Sequence, residues 1–172
     1  MMRATIAWVL PFFVLSACGD GKKEAAEEIA AAASSWSVDL QPYDLPLTVE
    51  IGDIATLGAD TVLVEWNEGF GHTTVNAGDR FRLIIREEPG DLARLKDGLD
   101  RDMLRKNTVI VEGPERLVYR SQFPDENLVY VHFCMVVIVG DRSFVVQDDP
   151  NGHYNEMDIT RMAGAVKPAQ PV

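Results

Sequence analysis

Cys134 and His132 are the two residues whose types and spacing come closest to a nucleophile and its base. They lie two residues apart in an apolar run, residues 128–139, which predicts a β-strand, so their side chains share one face about 7 Å apart. A histidine that takes the thiol proton makes a cysteine nucleophilic. A cysteine within so apolar a run is usually buried and inert, however. No orienting group or oxyanion turn follows, so we expect a core role for the pair.

An acidic segment, residues 147–158, follows the next predicted strand and reads QDDPNGHYNEMD. On the template of a calcium loop, Asp149, Asn151 and Asp158 fall on the third, fifth and twelfth positions. Gln147 stands at the first position, and a strand rather than a helix precedes the segment. We therefore expect a polar loop that caps a helix. Asp148, Asp149 and Asn151 remain candidate contacts for a ligand or a partner.

Three arginines, Arg80, Arg82 and Arg86, are predicted to line one side of a strand in an acidic protein. Guanidinium groups in such a row suit an anionic ligand or the carboxylates of a partner. The alternative is cross-strand pairing with acidic neighbours such as Glu65, which we expect to account for most of the three.

The motifs of several catalytic classes do not occur in the sequence. It has no glycine-rich phosphate loop, no GxSxG nucleophile turn and no HExxH pair. The three histidines, His72, His132 and His153, lack the spacing of zinc ligands. We expect no metal and no cofactor, and the pattern favours a binding role over an enzymatic one.

The N-terminal residues have the layout of a secretory signal peptide. Arg3 gives a positive start, residues 4–15 are apolar, and small residues lead to Cys18. The apolar run is shorter than the roughly 20 residues that span a bilayer, which argues against a transmembrane helix. An ordinary cleaved signal with a chance cysteine is the other alternative.

The segment Leu15-Ser16-Ala17-Cys18 resembles the lipobox of bacterial lipoproteins. The resemblance implies cleavage before Cys18 and a diacylglycerol on its thiol. It also implies a membrane lipoprotein that faces the periplasm or the cell exterior. Gly19 follows Cys18, where an Asp would resemble an inner-membrane retention signal, so the outer membrane is favoured where the organism has one.

The charge of the chain limits its partners. Loss of residues 1–17 removes one positive charge, Arg3, and moves the net charge from −11 to −12. An acidic domain repels nucleic acid and anionic headgroups. We expect membrane attachment through the N-terminal lipid, a protein partner in the envelope and no nucleic acid. Cys134 has no disulfide partner if Cys18 is lipidated.

The domain organisation has three parts: a signal peptide over residues 1–17, a lipidated Cys18 with an Ala/Glu-rich tether over residues 18–35, and one domain over residues 36–172. The tether composition favours a partly helical spacer, because alanine and glutamate supply helix propensity without a large apolar face. A docked helix of the fold is the alternative.

Period-two patterns predict the strands of this domain. They place Leu47, Val49 and Ile51 on one face, and Phe81, Leu83 and Ile85 on another. Further strands are predicted over residues 61–66, 72–76, 108–111, 116–120, 128–139 and 143–147. A polar loop is predicted over residues 121–127. The run 128–139 is apolar on both faces, which predicts a central strand covered on both sides.

Two amphipathic helices complete the predicted elements. Asp91 is a helix N-cap, and Leu92, Leu95, Leu99 and Met103 form an apolar face at spacings of three and four. A second helix is predicted from residue 156 to about 167, with Asn155 and Asp158 as a capping box and a loose tail after Pro168.

The order of elements predicts an α+β fold, with a mostly antiparallel sheet, built from a meander plus a long hairpin, and two amphipathic helices packed on it. With its Gly113-Pro114-Glu115 turn, the pattern resembles the PsbP-like fold. It also resembles one-domain bacterial lipoproteins that open with a strand like that at residues 46–49. These resemblances imply a fold and no activity.

Three functions fit the sequence. The first is a lipid-anchored accessory or binding domain that acts through loops at residues 67–71, 121–127 or 148–153, where Phe70 and Phe123 are apolar. The second is a small-ligand-binding protein or hydrolase that uses Cys134 and His132 or the acidic loop. The third is a structural lipoprotein of the envelope.

Overall fold

The computed structural model describes residues 35–170, which belong to one compact unit. The expected signal peptide, Cys18 and nearly all of the tether lie outside the described residues, as do Pro171 and Val172 of the tail. The described part holds ten strands, two α-helices and two short 3-10 helices. Neither α-helix within this range has the length and apolar character to span a membrane.

The strands and helices are numbered in chain order. The strands are β1 (Ser35–Asp39), β2 (Leu47–Asp53), β3 (Leu63–Asn67), β4 (His72–Asn76), β5 (Arg82–Glu87), β6 (Lys106–Glu112), β7 (Arg116–Gln122), β8 (Tyr130–Val139), β9 (Arg142–Asp148) and β10 (Val166–Pro168). The helices are α1 (Leu92–Arg101) and α2 (Glu156–Ala165), and the 3-10 helices are Gln41–Tyr43 and Ile54–Leu57.

The strands form two sheets, and all of their pairings are antiparallel. The larger sheet has seven strands in the order β3-β4-β5-β9-β8-β7-β6, and the smaller has three in the order β1-β2-β10. Two meanders therefore meet where β5 pairs with β9. The expectation of an α+β fold with mostly antiparallel strands is confirmed, whereas division into two sheets was not predicted.

The core lies between the larger sheet, the smaller sheet and α2. Leu47, Val49 and Ile51 of β2 are fully or almost fully buried there, as are the inward residues of β5. Phe133 of β8 and Phe144 of β9 fill the centre. The period-two alternation produces this burial because every second side chain of a strand points to the same face. Helix α2 contacts β2, β8 and β9.

Helix α1 begins as predicted but ends one residue before Asp102. The Asp91 side chain accepts the backbone N–H of Arg94 at 2.8 Å, which caps the first turn. The Asp102 side chain accepts the N–H groups of Leu104 and Arg105, which turns the chain out of the helix. The prediction that Met103 lies on the buried face is therefore wrong, and its side chain is 97% exposed.

Helix α2 has the predicted capping box, in which Asn155 accepts the N–H of Asp158 and Asp158 accepts the N–H of Asn155. The helix ends at Ala165 rather than near Lys167. Val166 leaves it to pair with Val49 as the start of β10. Backbone pairing with β2 and burial of Val166 outweigh the helix propensity of this segment. The tail is held as far as Ala169, whose N–H bonds to Pro46.

The predicted loop at residues 121–127 begins later, because Ser121 and Gln122 continue β7.

The prediction that β8 is covered on both sides is correct for its first half only. His132, Phe133 and Cys134 are buried, whereas Ile138 is 64% exposed. The start of β8 thus buries a polar side chain, that of His132.

Candidate functional site

The site begins where β8 and β9 separate. Their pairing runs from Val139 and Arg142 to Cys134 and Gln147, and there it stops. Beyond that point, the Asp148 carboxylate takes the place of a backbone acceptor and binds the N–H of Phe133 at 2.8 Å. Its second oxygen lies 2.7 Å from Nδ1 of His132. A carboxylate therefore fills the gap between the strands.

Asp148 and His132 form a buried pair, with side chains that are 2% and 9% exposed. Carboxylate oxygens accept hydrogen bonds, so a proton on Nδ1 of His132 fits this contact and leaves Nε2 for other contacts. The Tyr119 ring lies 5.5 Å from the imidazole, and Tyr130 stacks on it at 6.4 Å. The contacts with Asp148 and the two rings hold the orientation of His132.

A pocket of about 310 Å³ opens beside this pair. Four of its lining residues carry rings, namely Phe123, Tyr130, His132 and His153, and Arg105 and Asn151 add polar groups. Its lining is completed by Ser121 and Pro150. Small-molecule pockets in proteins start near this volume and combine apolar walls with a few polar groups.

Ser121 connects the pocket to α1 through a short hydrogen-bonded chain. Its hydroxyl donates to Oδ1 of Asn107 at 2.5 Å, and Nδ2 of Asn107 donates to the carbonyl of Leu99 at 3.0 Å. Ser121 is 1% exposed and its proton is used in this chain. A nucleophile must reach its substrate, so the buried hydroxyl of Ser121 is not placed to act as one. It links β7 to α1 through Asn107 instead.

A second cavity of about 570 Å³ lies between α1 and the sheet. Its lining includes Leu95 and Leu99 of α1, Tyr119 and Cys134 of the sheet, and Arg105, which also lines the first pocket. Burial, followed by the charge of Asp148, raises the pKa of Cys134 to about 11 and that of Tyr119 to about 12. The raised pKa of Cys134 opposes a thiolate at neutral pH.

The three arginines of the sequence analysis do not form one site. Arg80 binds Asp158 at 2.8 Å, and Arg82 binds Asp149 at 3.3 Å. Arg86 makes no salt bridge within the described range. Burial and then the charge of Arg86 lower the pKa of His72. Salt bridges therefore account for Arg80 and Arg82, but their partners are Asp158 and Asp149 rather than Glu65.

The acidic segment is divided among three structural tasks. Asp148 binds His132, and Asp149 accepts the N–H of Asn151 at 3.0 Å while it pairs with Arg82. Asp158 caps α2. Across residues 35–170 there is no group of three or more His, Cys, Asp and Glu side chains placed to hold a metal. Of the three candidate contacts in this segment, Asn151 lines the pocket, Asp148 lies behind it, and Asp149 does not line it.

This arrangement can orient a ligand and, through His132, accept or donate a proton. The sequence analysis named His132 and Asp148 separately and did not predict their contact. A signal was present, because a polar residue at each strand end interrupts an otherwise apolar hairpin. The β7–β8 pairing brings the start of β8, with Tyr130, next to the end of β7, after which Phe123 follows. His153 joins them through the course of residues 149–155, which no local pattern specifies.

Comparison with known proteins adds no assignment: no family model, no curated protein and no solved structure matches the chain.

Proposed function

We propose that this protein is a lipid-anchored binding domain on the outer side of a bacterial membrane, and that it binds a small ligand in the pocket beside His132. The observation that carries the proposal is the buried Asp148–His132 pair at 2.7 Å, beside a ring-lined pocket of about 310 Å³. A buried carboxylate is costly, so its presence next to an opening marks a candidate functional site.

The fold supports this proposal because the ends of β8 and β9 supply the polar pair. Ser121, Tyr130 and His132 of the pocket lie on strands, and its other lining residues lie in the loops that follow α1, β7 and β9. The Ser121–Asn107–Leu99 chain fixes α1 relative to the same strands.

The anchor in this proposal is the lipid on Cys18, predicted from the lipobox-like segment. Acyl chains supply stable attachment that an acidic domain does not obtain from headgroup contacts. The expected test is fractionation: the wild-type chain partitions with membranes, whereas a Cys18→Ser chain is released. Equal partitioning of the two chains would contradict the anchor.

A protein partner in the envelope belongs to the same proposal. Phe70 is 76% exposed in the loop between β3 and β4, and Phe123 is 39% exposed in the loop after β7. These two side chains are the candidate contacts for the partner, because loops on a rigid scaffold commonly carry binding residues. Crosslinking in vivo, with the Cys18→Ser chain as the control, tests whether a partner depends on anchoring.

The binding proposal is tested by native mass spectrometry of the anchored protein purified from its own membranes. We expect a bound small molecule in the wild type and its loss in the Phe123→Ala/His153→Ala variant. Trp36→Ala is the matched control, because it removes an exposed ring that does not line the pocket. An unliganded wild type whose melting temperature no metabolite extract raises would contradict the proposal.

A second candidate function is hydrolysis with His132 as a general base. The observation that favours it is the contact with Asp148, since catalytic histidines are commonly oriented by a carboxylate. We expect slow hydrolysis of p-nitrophenyl acetate, reduced about a hundredfold by His132→Gln. Cys134→Ala is the control and should leave the rate unchanged. A rate that survives His132→Gln would remove this candidate.

A further inference from the structure

We propose, resting on the binding function above, that the pocket beside His132 takes a planar aromatic ligand that carries an acidic group. Half of the eight lining residues present aromatic rings, and Arg105 is the one charged side chain among the other four. The ligand ring would lie among Phe123, Tyr130 and His153. Its acidic group would lie at Arg105.

The ring geometry favours a flat ligand. Tyr130 lies between two imidazoles, with ring centroids 6.4 Å from His132 and 5.2 Å from His153. The planes of Tyr130 and His132 differ by only 2°. Phe123 stands 39% exposed at the same pocket. Aromatic rings pair in offset or tilted arrangements at such distances, so these side chains together present aromatic surface to a pocket of about 310 Å³, and a flat ring is the ligand shape that suits such a surface.

The charges of the lining favour an acidic group on that ligand. The protein carries 27 acidic and 16 basic residues, yet no Asp or Glu of the described residues lines this pocket. Two of the three histidines of the chain and Arg105 do line it. Arg105 uses Nε for Asp102, and within the described part its two terminal nitrogens make no hydrogen bond. These nitrogens present the paired donors that suit a carboxylate or sulfonate.

Three carboxylates come near the pocket, those of Asp102, Asp148 and Asp149, and none of them lines it. Each accepts hydrogen bonds from donors of the protein. For Asp102 these hydrogen bonds, that from the Leu104 N–H first, lower the pKa. The carboxylates nearest the pocket are therefore engaged within the protein, and none is a lining group that would favour a cationic ligand.

The test uses two fluorescent probes with the same aromatic body. One is 8-anilinonaphthalene-1-sulfonate, which carries an anionic group, and the other is N-phenyl-1-naphthylamine, which lacks it. Both are titrated against the unlipidated mature chain with Cys18→Ser. We expect the sulfonate probe to bind at least tenfold more tightly, because only the sulfonate can accept a charge-assisted hydrogen bond from Arg105.

Matched variants locate the binding. Arg105→Gln should weaken the sulfonate probe at least tenfold and change the neutral probe less than threefold. Arg101→Gln is the control, because Arg101 is 82% exposed and lines neither cavity. Phe123→Ala should weaken both probes, whereas Trp36→Ala, which removes an exposed ring that lines neither cavity, should weaken neither.

The outcomes separate the inference from the function on which it rests. Equal affinities for the two probes, both lost in Phe123→Ala, would overturn the acidic-group preference and leave the ring-lined binding site standing. Binding of neither probe, or binding that Phe123→Ala does not change, would overturn the aromatic preference and count against the pocket itself.

Discussion

At the residue scale, Asp148 has the largest consequences of any single side chain. Its carboxylate ends the β8–β9 pairing, satisfies the Phe133 N–H and holds His132. The hydrogen bonds to Phe133 and His132 together use both carboxylate oxygens as acceptors. Buried donors that lose their acceptors cost the full penalty of their desolvation.

Replacing Asp148 with Asn should therefore destabilise the fold. The amide has one acceptor oxygen and turns its NH2 group toward a donor, so we expect the free energy of unfolding to fall by about 2 kcal/mol. Urea denaturation measures this change. Asp97→Asn is the control, since its carboxylate is 69% exposed and should change stability by less than about 0.5 kcal/mol. Equal stability of Asp148→Asn and wild type would contradict the assigned hydrogen bonds.

Cys134 should react slowly with thiol reagents in the folded protein. Its pKa rises from 9.0 to about 11 through burial and then Asp148, so the thiolate fraction below pH 9 falls about a hundredfold. The expected rate with a disulfide reagent increases as pH rises toward 11. The reaction is measured on the Cys18→Ser chain, in which Cys134 is the remaining cysteine. The rate of this chain unfolded in guanidinium provides the reference. Reaction of the folded chain at the unfolded rate would show an accessible, ionised thiol.

At the element scale, the segment that leads into α1 packs closely against the sheet, whereas the helix itself lies over an open cavity. Gly90 lies so close to β8 that an added Cβ would be 2.2 Å from Cγ2 of Val136. Gly98, in the middle of α1, has nothing within 4 Å of such an atom. The same substitution should thus have opposite effects at the two positions.

Gly98→Ala should stabilise the protein by about 0.5–1 kcal/mol through helix propensity. Gly90→Ala should destabilise it, because the methyl group displaces either α1 or Val136. The double variant Gly90→Ala/Val136→Ala should lose less stability than the sum of the losses in Gly90→Ala and Val136→Ala, because the smaller side chain makes room for the added methyl group. Thermal denaturation of Gly98→Ala, Gly90→Ala, Val136→Ala and the double variant measures these changes. Strict additivity of the Gly90 and Val136 changes would contradict the close approach.

The elements differ in how well local sequence patterns predict them. The alternation of Leu47, Val49 and Ile51 and the capping box of Asn155 and Asp158 are local, and both are correct. Val166 continues a helical pattern but lies in β10, because its pairing partner Val49 is more than a hundred residues away in the chain. Local patterns contain no information about such a partner.

At the scale of the whole molecule, β10 closes the fold by pairing with β2 near the other end of the chain. A chain that stops after Ala165 loses this strand and the burial of Val166. We expect the free energy of unfolding to fall by about 2 kcal/mol or more, the contribution of one buried valine and its backbone bonds. A chain that stops after Gln170 is the control and should match the full chain. Equal stability of both truncations would show that β10 is dispensable.

The candidate site was the least predictable part of the molecule. His132, Asp148 and Asn151 were named from their types, but what unites them is the point at which β8 and β9 part. That point depends on the pairing of β9 with β5 on one side and β8 on the other. Ring neighbours from β7, β8 and the loop before α2 follow from the same long-range geometry.

The central claim is that the pocket beside His132 is a binding site, and the most direct measurement is a backbone amide chemical-shift map. The mature Cys18→Ser chain, labelled with 15N, is titrated with benzoate and with indole. We predict that the largest shifts fall on Ser121, Phe123, His132, Asn151 and His153. Shifts concentrated instead on the groove of Tyr43, Trp66 and Arg142, which has a volume of about 340 Å³, would contradict the claim.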